Sequence, residues 1–245
     1  MKKNICIIFI FTVVFNTALY AQYYGRTNTV IDTPTAYTLD KGMYQFSFLG
    51  YDNGGVELKA FIGLHKNIYL GASFDIQSAI GKDDPEPHAP GVIAKVKFTD
   101  GWERFPISLA VGYDSFYIGQ EGRTYNNDNE LNRMIYGPFF VVTKPIYLLD
   151  EEQHVHFGVR VPVQPYYVPE DTSYFASFDI PIGESVMFKA EGERVYYDMS
   201  RPREWMLNVG LRYTYLYRIS VEFAILMQKN DRGNRILKIE YNDEF

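Results

Sequence analysis

Cysteine is all but missing. Cys6 is the only one in 245 residues, and it lies inside an apolar N-terminal run, too early to be a lipidation site. A chain processed after residue 21 would hold none, which excludes disulfides, thiolate nucleophiles and cysteine-ligated metal sites. No apolar run approaches the roughly 20 residues of a comfortable membrane-spanning helix. Mean hydropathy is −0.21, so the chain is not a bundle of membrane helices. That value still allows a membrane barrel, because half of each barrel strand faces a polar lumen. There is no basic block: 24 Lys and Arg stand against 30 Asp and Glu, a formal charge of −6, which argues against a nucleic acid partner. Tryptophan occurs only twice. Tyrosine (21) and phenylalanine (18) are abundant instead, as suits strands and side chains at a lipid–water boundary.

The N-terminus reads as a secretory signal. Lys2 and Lys3 form a basic start, Ile5 to Val14 an apolar run, and Ala21 a small residue suited to cleavage before Gln22. The alternative is a retained anchor helix. The predicted organisation is a signal peptide over 1–21, an N-terminal lead-in segment over 22–42 and one β domain over 43–245.

Beyond the signal, no window shows the three-and-four spacing of a helix, whereas alternation with period two recurs. Ile68, Leu70, Ala72, Phe74 and Ile76 alternate with Tyr69, Gly71, Ser73 and Asp75. Trp205, Leu207, Val209, Leu211 and Tyr213 alternate with Met206, Asn208, Gly210 and Arg212. Such segments predict strands at 44–50, 56–62, 68–76, 92–98, 107–117, 136–146, 155–163, 174–180, 186–196, 205–215, 219–225 and 236–241. Short and long connections roughly alternate, as they do where periplasmic turns face extracellular loops. By that rule the segments around Asp83–Asp84, Tyr125–Asn129 and Pro169–Asp171 lie outside the cell.

The expected fold class is therefore all-β, an antiparallel up-and-down transmembrane β-barrel of about 12 strands, 10 to 14 at the limits. Tyrosines cluster near strand ends, as interfacial girdles require. The chain ends in an alternating strand closed by Phe245, which resembles the C-terminal insertion signal of bacterial outer-membrane proteins, although Asp243 departs from that pattern. The expected location is the bacterial outer membrane. Its partners are then the lipid of that membrane, the barrel-assembly machinery, and polysaccharide or other envelope proteins. Alternation alone does not say which face meets lipid. If the apolar one does, the lumen charges are Asp75, Lys95, Lys97, Asp114, Lys144, Arg160, Lys189, Glu191, Arg212 and Glu222, and their balanced signs favour a salt-bridged, nearly closed lumen.

Ile31-Asp32-Thr33-Pro34-Thr35-Ala36, followed by Leu39 and Gly42, resembles the opening motif of the YjbH-type outer-membrane proteins of exopolysaccharide operons. The segments Gly91–Lys95, Pro106–Asp114 and Phe140–Lys144 are similar to further strands of that family, in the same order, so the likeness covers roughly residues 29–160. It implies a β-rich, non-enzymatic envelope protein associated with polysaccharide synthesis or export.

Few residues suggest chemistry of their own. His154 and His156 share one strand face and could bind a metal or act as an acid–base pair, but further ligands are not evident. Ser73, Ser108, Ser177 and Ser220 fall on polar faces outside any nucleophile motif. Glu191, Glu193 and Asp198 could be paired carboxylates, or simply a charged lumen face. Pro34–Ala36 either belongs to a segment that enters the lumen or caps the periplasmic opening or, the preferred reading, only stiffens the lead into the first strand. No catalytic residue, cofactor or metal is expected. The leading function is assistance to exopolysaccharide or cell-surface biogenesis and export. A passive pore or structural envelope barrel comes second, and a barrel hydrolase third.

Overall fold

A computed structural model describes residues 26–51, 54–102, 105–115, 137–148, 151–161, 172–195, 204–227 and 234–245. They form thirteen strands in a single antiparallel sheet. In chain order these are β1 (Met43–Tyr51), β2 (Gly55–His65), β3 (Ile68–Gln77), β4 (Glu86–Pro87), β5 (Gly91–Trp102), β6 (Phe105–Asp114), β7 (Gly137–Leu148), β8 (Glu151–Arg160), β9 (Ser173–Ile182), β10 (Val186–Val195), β11 (Glu204–Tyr215), β12 (Ile219–Met227) and β13 (Asn234–Glu244). β4 is a two-residue strand against the end of β3. The other twelve close into a barrel, because β1 pairs with β13 on one side and β2 on the other, and β2 pairs with β3. Closure leaves no sheet edge, which a strand protein in lipid requires.

Each predicted strand coincides with one of the twelve. β8 runs to Arg160; residues 162 and 163 of that predicted strand lie outside the described residues. β4 was not expected from the pattern; it forms where the connection after Gln77 folds back on Ile76.

The facing is now settled. Phe46, Leu58, Leu70, Phe98, Phe157, Trp205, Leu211, Val221, Phe223 and Ile239 are exposed, while Glu57, Lys95, Asp179, Lys189, Glu193 and Glu222 are buried. A soluble barrel would reverse this; a membrane barrel turns its apolar face to lipid and its charges inward. Val221→Arg, on the outer face of β12, should therefore block assembly, since an arginine at the bilayer midplane costs roughly 2–4 kcal/mol. The folded band on an unboiled gel should vanish; normal assembly would mean that this face avoids lipid.

Both termini of the barrel, Met43 and Glu244, pair at one rim. The short turns 66–67, 183–185 and 216–218 lie at that same end, and the long connection 78–90 at the other. Asp83 and Asp84 are exposed at the long-connection end. The segments 125–129 and 169–171 lie outside the described residues.

Candidate functional site

The lumen is filled by the protein's own N-terminal segment. Of residues 27–39, all but Thr29 and Thr38 are buried. Each of the three buried apolar clusters contains a residue of this segment: Val30 and Ile31 pack on Leu49, Met206, Leu226 and Ile236; Ala36 on Phe139, Val141 and Phe175; and Leu39 on Phe61, Tyr69 and Ile93. The segment leaves the lumen at the short-turn rim, where Gly42 N–H donates to Gly63 C=O at 2.9 Å. A Cβ on Gly63 would stand 2.0 Å from the Asp40 carbonyl oxygen, so only glycine admits the chain there. Sequence alone left two readings of Pro34–Ala36, and the preferred one is incomplete: the stretch does more than stiffen a lead-in, since all three residues are buried inside the barrel.

Its fold is a tight hairpin. Val30 N–H donates to Thr33 C=O at 2.9 Å and Thr35 N–H to Asn28 C=O at 3.1 Å, with Thr29 bridged to Pro34. An isolated hairpin in a dry lumen leaves most of its backbone groups without partners, and each would be costly unpaired. The wall charges supply them. Glu191 Oε2 accepts the N–H groups of Ile31, Asp32 and Thr33 at 3.1, 3.0 and 2.9 Å, and the Thr33 hydroxyl at 2.8 Å. Its other oxygen accepts Asn208 Nδ2 at 2.6 Å. The carbonyls are met by cations: Lys95 Nζ donates to Asn28, Thr35 and Tyr37 at 3.0, 2.9 and 3.1 Å. Lys189 donates to Val30 at 2.5 Å, Lys238 to Ile31 at 2.9 Å and Arg160 to Asp32 at 2.7 Å.

Ala36 N–H donates to Thr143 Oγ1 at 2.8 Å. That hydroxyl bonds to His156 Nδ1 at 2.8 Å, and His156 Nε2 to Asp179 at 2.9 Å. His154 lies between Asp179 at 2.6 Å and Glu152 at 2.9 Å. Glu152 reaches Arg26 at 3.3 Å. Tyr37 lies edge-on to both imidazoles, and burial raises its phenol well above the ordinary range. The Thr143–His156–Asp179 order is that of a hydroxyl–imidazole–carboxylate relay. Thr143 is fully buried beneath the hairpin, so here it positions Ala36.

Among the other expected lumen charges, Asp75 accepts Tyr51 and His88 at 2.8 Å each. Lys97 pairs with Asp100, Asp114 lies 3.9 Å from Lys59, and Arg212 pairs with Glu240 and donates to Ser220. Glu222 holds Lys189 at 2.6 Å and Lys238 at 3.4 Å. Lys144 corrects the expectation: it is exposed on the outer face, because Phe139, Val141 and Thr143 point inward. The parity of β7 is ambiguous in sequence, since its lumen face carries apolar residues for Ala36. Lys144 lies toward the short-turn end, where a long stem can bring its ammonium to the interface. Ser73, Ser108, Ser177 and Ser220 are buried in the wall; Asp198 lies outside the described residues. Thr143 escaped notice for the same reason of parity. Among the described residues no cluster of three or more His, Cys, Asp or Glu is arranged to hold a metal ion.

Fold and lumen together define a closed, twelve-stranded antiparallel β-barrel plugged by its own N-terminal segment. The KdgM porin is similar in structure, at a TM-score of 0.55 and 10% identity over 81% of this chain and 98% of that one. The same porin in complex with disordered oligogalacturonate also gives 0.55, at 11% identity over 83% and 99%. An outer membrane channel from Pseudomonas putida F1 gives 0.50, at 12% identity over 86% and 98%. At these identities the likeness is one of fold. No protein-family model matches the sequence, and comparison with curated proteins finds no relative.

Proposed function

We propose that the protein is a non-enzymatic outer-membrane conduit, held shut by residues 27–39, that assists exopolysaccharide or cell-surface biogenesis and export. The observation that carries this reading is the seating of the hairpin: it is bound to the wall through polar contacts that a competing chain could replace one by one. Two further points support it. The neighbouring folds are porins and channels, and the motif Ile31–Ala36, which carries the resemblance to exopolysaccharide-operon proteins, is the hairpin itself. The reading includes a secretory signal, the barrel-assembly machinery and outer-membrane lipid as partners. A passive pore is the second reading, favoured by the porin neighbours alone; loss of surface polysaccharide on gene deletion would separate the two.

The gate can be tested by locking it. Thr33 Oγ1 and Ser177 Oγ lie 2.9 Å apart, so Thr33→Cys with Ser177→Cys needs only a small shift to reach a disulfide at about 2 Å. The native chain's only cysteine, Cys6, precedes the predicted cleavage site. In planar bilayers the oxidised variant should stay closed at every voltage, and reduction should restore any native openings. Openings unaffected by oxidation would show that the hairpin is not the gate.

A further inference from the structure

The wall beneath the hairpin carries a pattern that the closed state does not exhaust. Tyr69 of β3, Lys95 of β5, Gly112 of β6, Phe139 of β7 and Arg160 of β8 form one row, each paired with the next. Gly112 contributes no side chain, and the Phe139 ring occupies its place: a Cβ there would lie 2.3 Å from Phe139 Cζ. Phe175 covers Gly158 in the same way, at 2.2 Å. The row therefore presents aromatic faces and cations in alternation. Lys95 Nζ stands 5.0 Å from the Tyr69 ring centre and 5.9 Å from that of Phe139, and the Arg160 guanidinium 5.7 Å from Phe175.

These two cations are incompletely matched. Lys95 is 1% exposed, yet among the described residues no carboxylate lies within ion-pairing distance, and its three hydrogen bonds all go to neutral carbonyls of the hairpin. Arg160 is 3% exposed. One of its nitrogens donates to Asp32 C=O, but Nε and Nη1 make no hydrogen bond among the described residues. The acid facing it, Glu193, stands at 3.8 Å. A buried cation held by neutral groups, as Lys95 is, or by an acid at the limit of ion-pairing distance, as Arg160 is, retains an unused attraction for anions.

We propose that the row Tyr69–Lys95–Phe139–Arg160 is a binding track for an acidic glycan, a sugar chain bearing carboxylates, which takes the hairpin's place when the barrel opens. The proposal rests on the conduit reading. Carboxylates would meet Lys95 and the Nε and Nη1 of Arg160, whose fork suits a bidentate carboxylate. The C–H faces of the sugar rings would lie on Tyr69 and Phe139. Hydroxyls, which both donate and accept, would replace the hairpin's backbone groups along the rest of the wall.

The test uses the full chain carrying Glu191→Ala to free the hairpin, in planar bilayers, with oligogalacturonate and a maltooligosaccharide of equal length as probes. Oligogalacturonate should block the current at a concentration at least roughly tenfold lower than the neutral glycan. Adding Lys95→Gln or Arg160→Gln should erase most of that difference and leave block by the neutral glycan unchanged. An unboiled-gel shift verifies folding, and if either variant fails to assemble, the comparison of the two glycans decides alone. Equal block by both glycans, or by neither, overturns the track while an open pore upholds the conduit. A discrimination that survives both substitutions also overturns it. If Glu191→Ala stays silent, the same comparison is made on the chain lacking residues 27–39, and failure of that folded variant to conduct defeats the conduit and the track with it.

Discussion

Glu191→Ala should convert a closed barrel into a conducting one. A single carboxylate oxygen accepts three backbone amides and one hydroxyl at the hairpin turn. Alanine leaves those donors buried without an acceptor, at roughly 1–3 kcal/mol for each donor left unsatisfied. The hairpin can avoid the cost only by moving to water. A loss of about 3 kcal/mol already shifts its seating more than a hundredfold, so open events in single-channel records should rise by about that factor. Glu191→Gln keeps an acceptor oxygen and should fall between the two. A variant that assembles normally and remains silent would mean that the apolar contacts of Val30, Ile31, Ala36 and Leu39 suffice to hold the plug.

The second large effect concerns the barrel more than the gate. Glu222 lies between two buried ammonium groups, Lys189 at 2.6 Å and Lys238 at 3.4 Å. Among the described residues the further acid near Lys238 is Glu240 at 3.9 Å, and Glu240 is engaged by Arg212. Glu222→Leu conserves approximate volume but strands both cations. Removing one partner of a buried ion pair costs about 3–5 kcal/mol. The temperature at which the fast-migrating folded band converts to the unfolded one should fall markedly. Adding Lys189→Met should restore part of the loss by removing one stranded charge. An unchanged conversion temperature in the single variant would show that water screens this part of the lumen.

Both expectations depend on which parts of the design were readable from the chain. The strands were readable because alternation with period two is a local property. The run Trp205–Tyr215 declares its two faces without reference to any neighbour, and β11 occupies those same residues. Parity failed at β7. Its lumen face carries Phe139 and Val141 for contact with Ala36, so both faces of that strand read as apolar and Lys144 was assigned inward. The lumen charges were legible as a mixed set, but not their purpose. Lys95 and Glu191 look in sequence like partners for opposite charges, whereas in the barrel they serve the backbone of a segment far away along the chain. Nothing in the order of residues announces a pairing between positions 32 and 191.

The sequence by itself determined the class of the fold, the number and place of the barrel strands and, β7 apart, the membership of their two faces, because these follow from side-chain alternation and turn chemistry within short windows. Only the tertiary structure decided which face meets lipid and that residues 27–39 fill the lumen. Closing twelve strands into a ring creates an interior that no single strand possesses. The hairpin's unpaired amides and carbonyls then select the charges that line it, since inside a desolvated lumen every backbone group must find a partner.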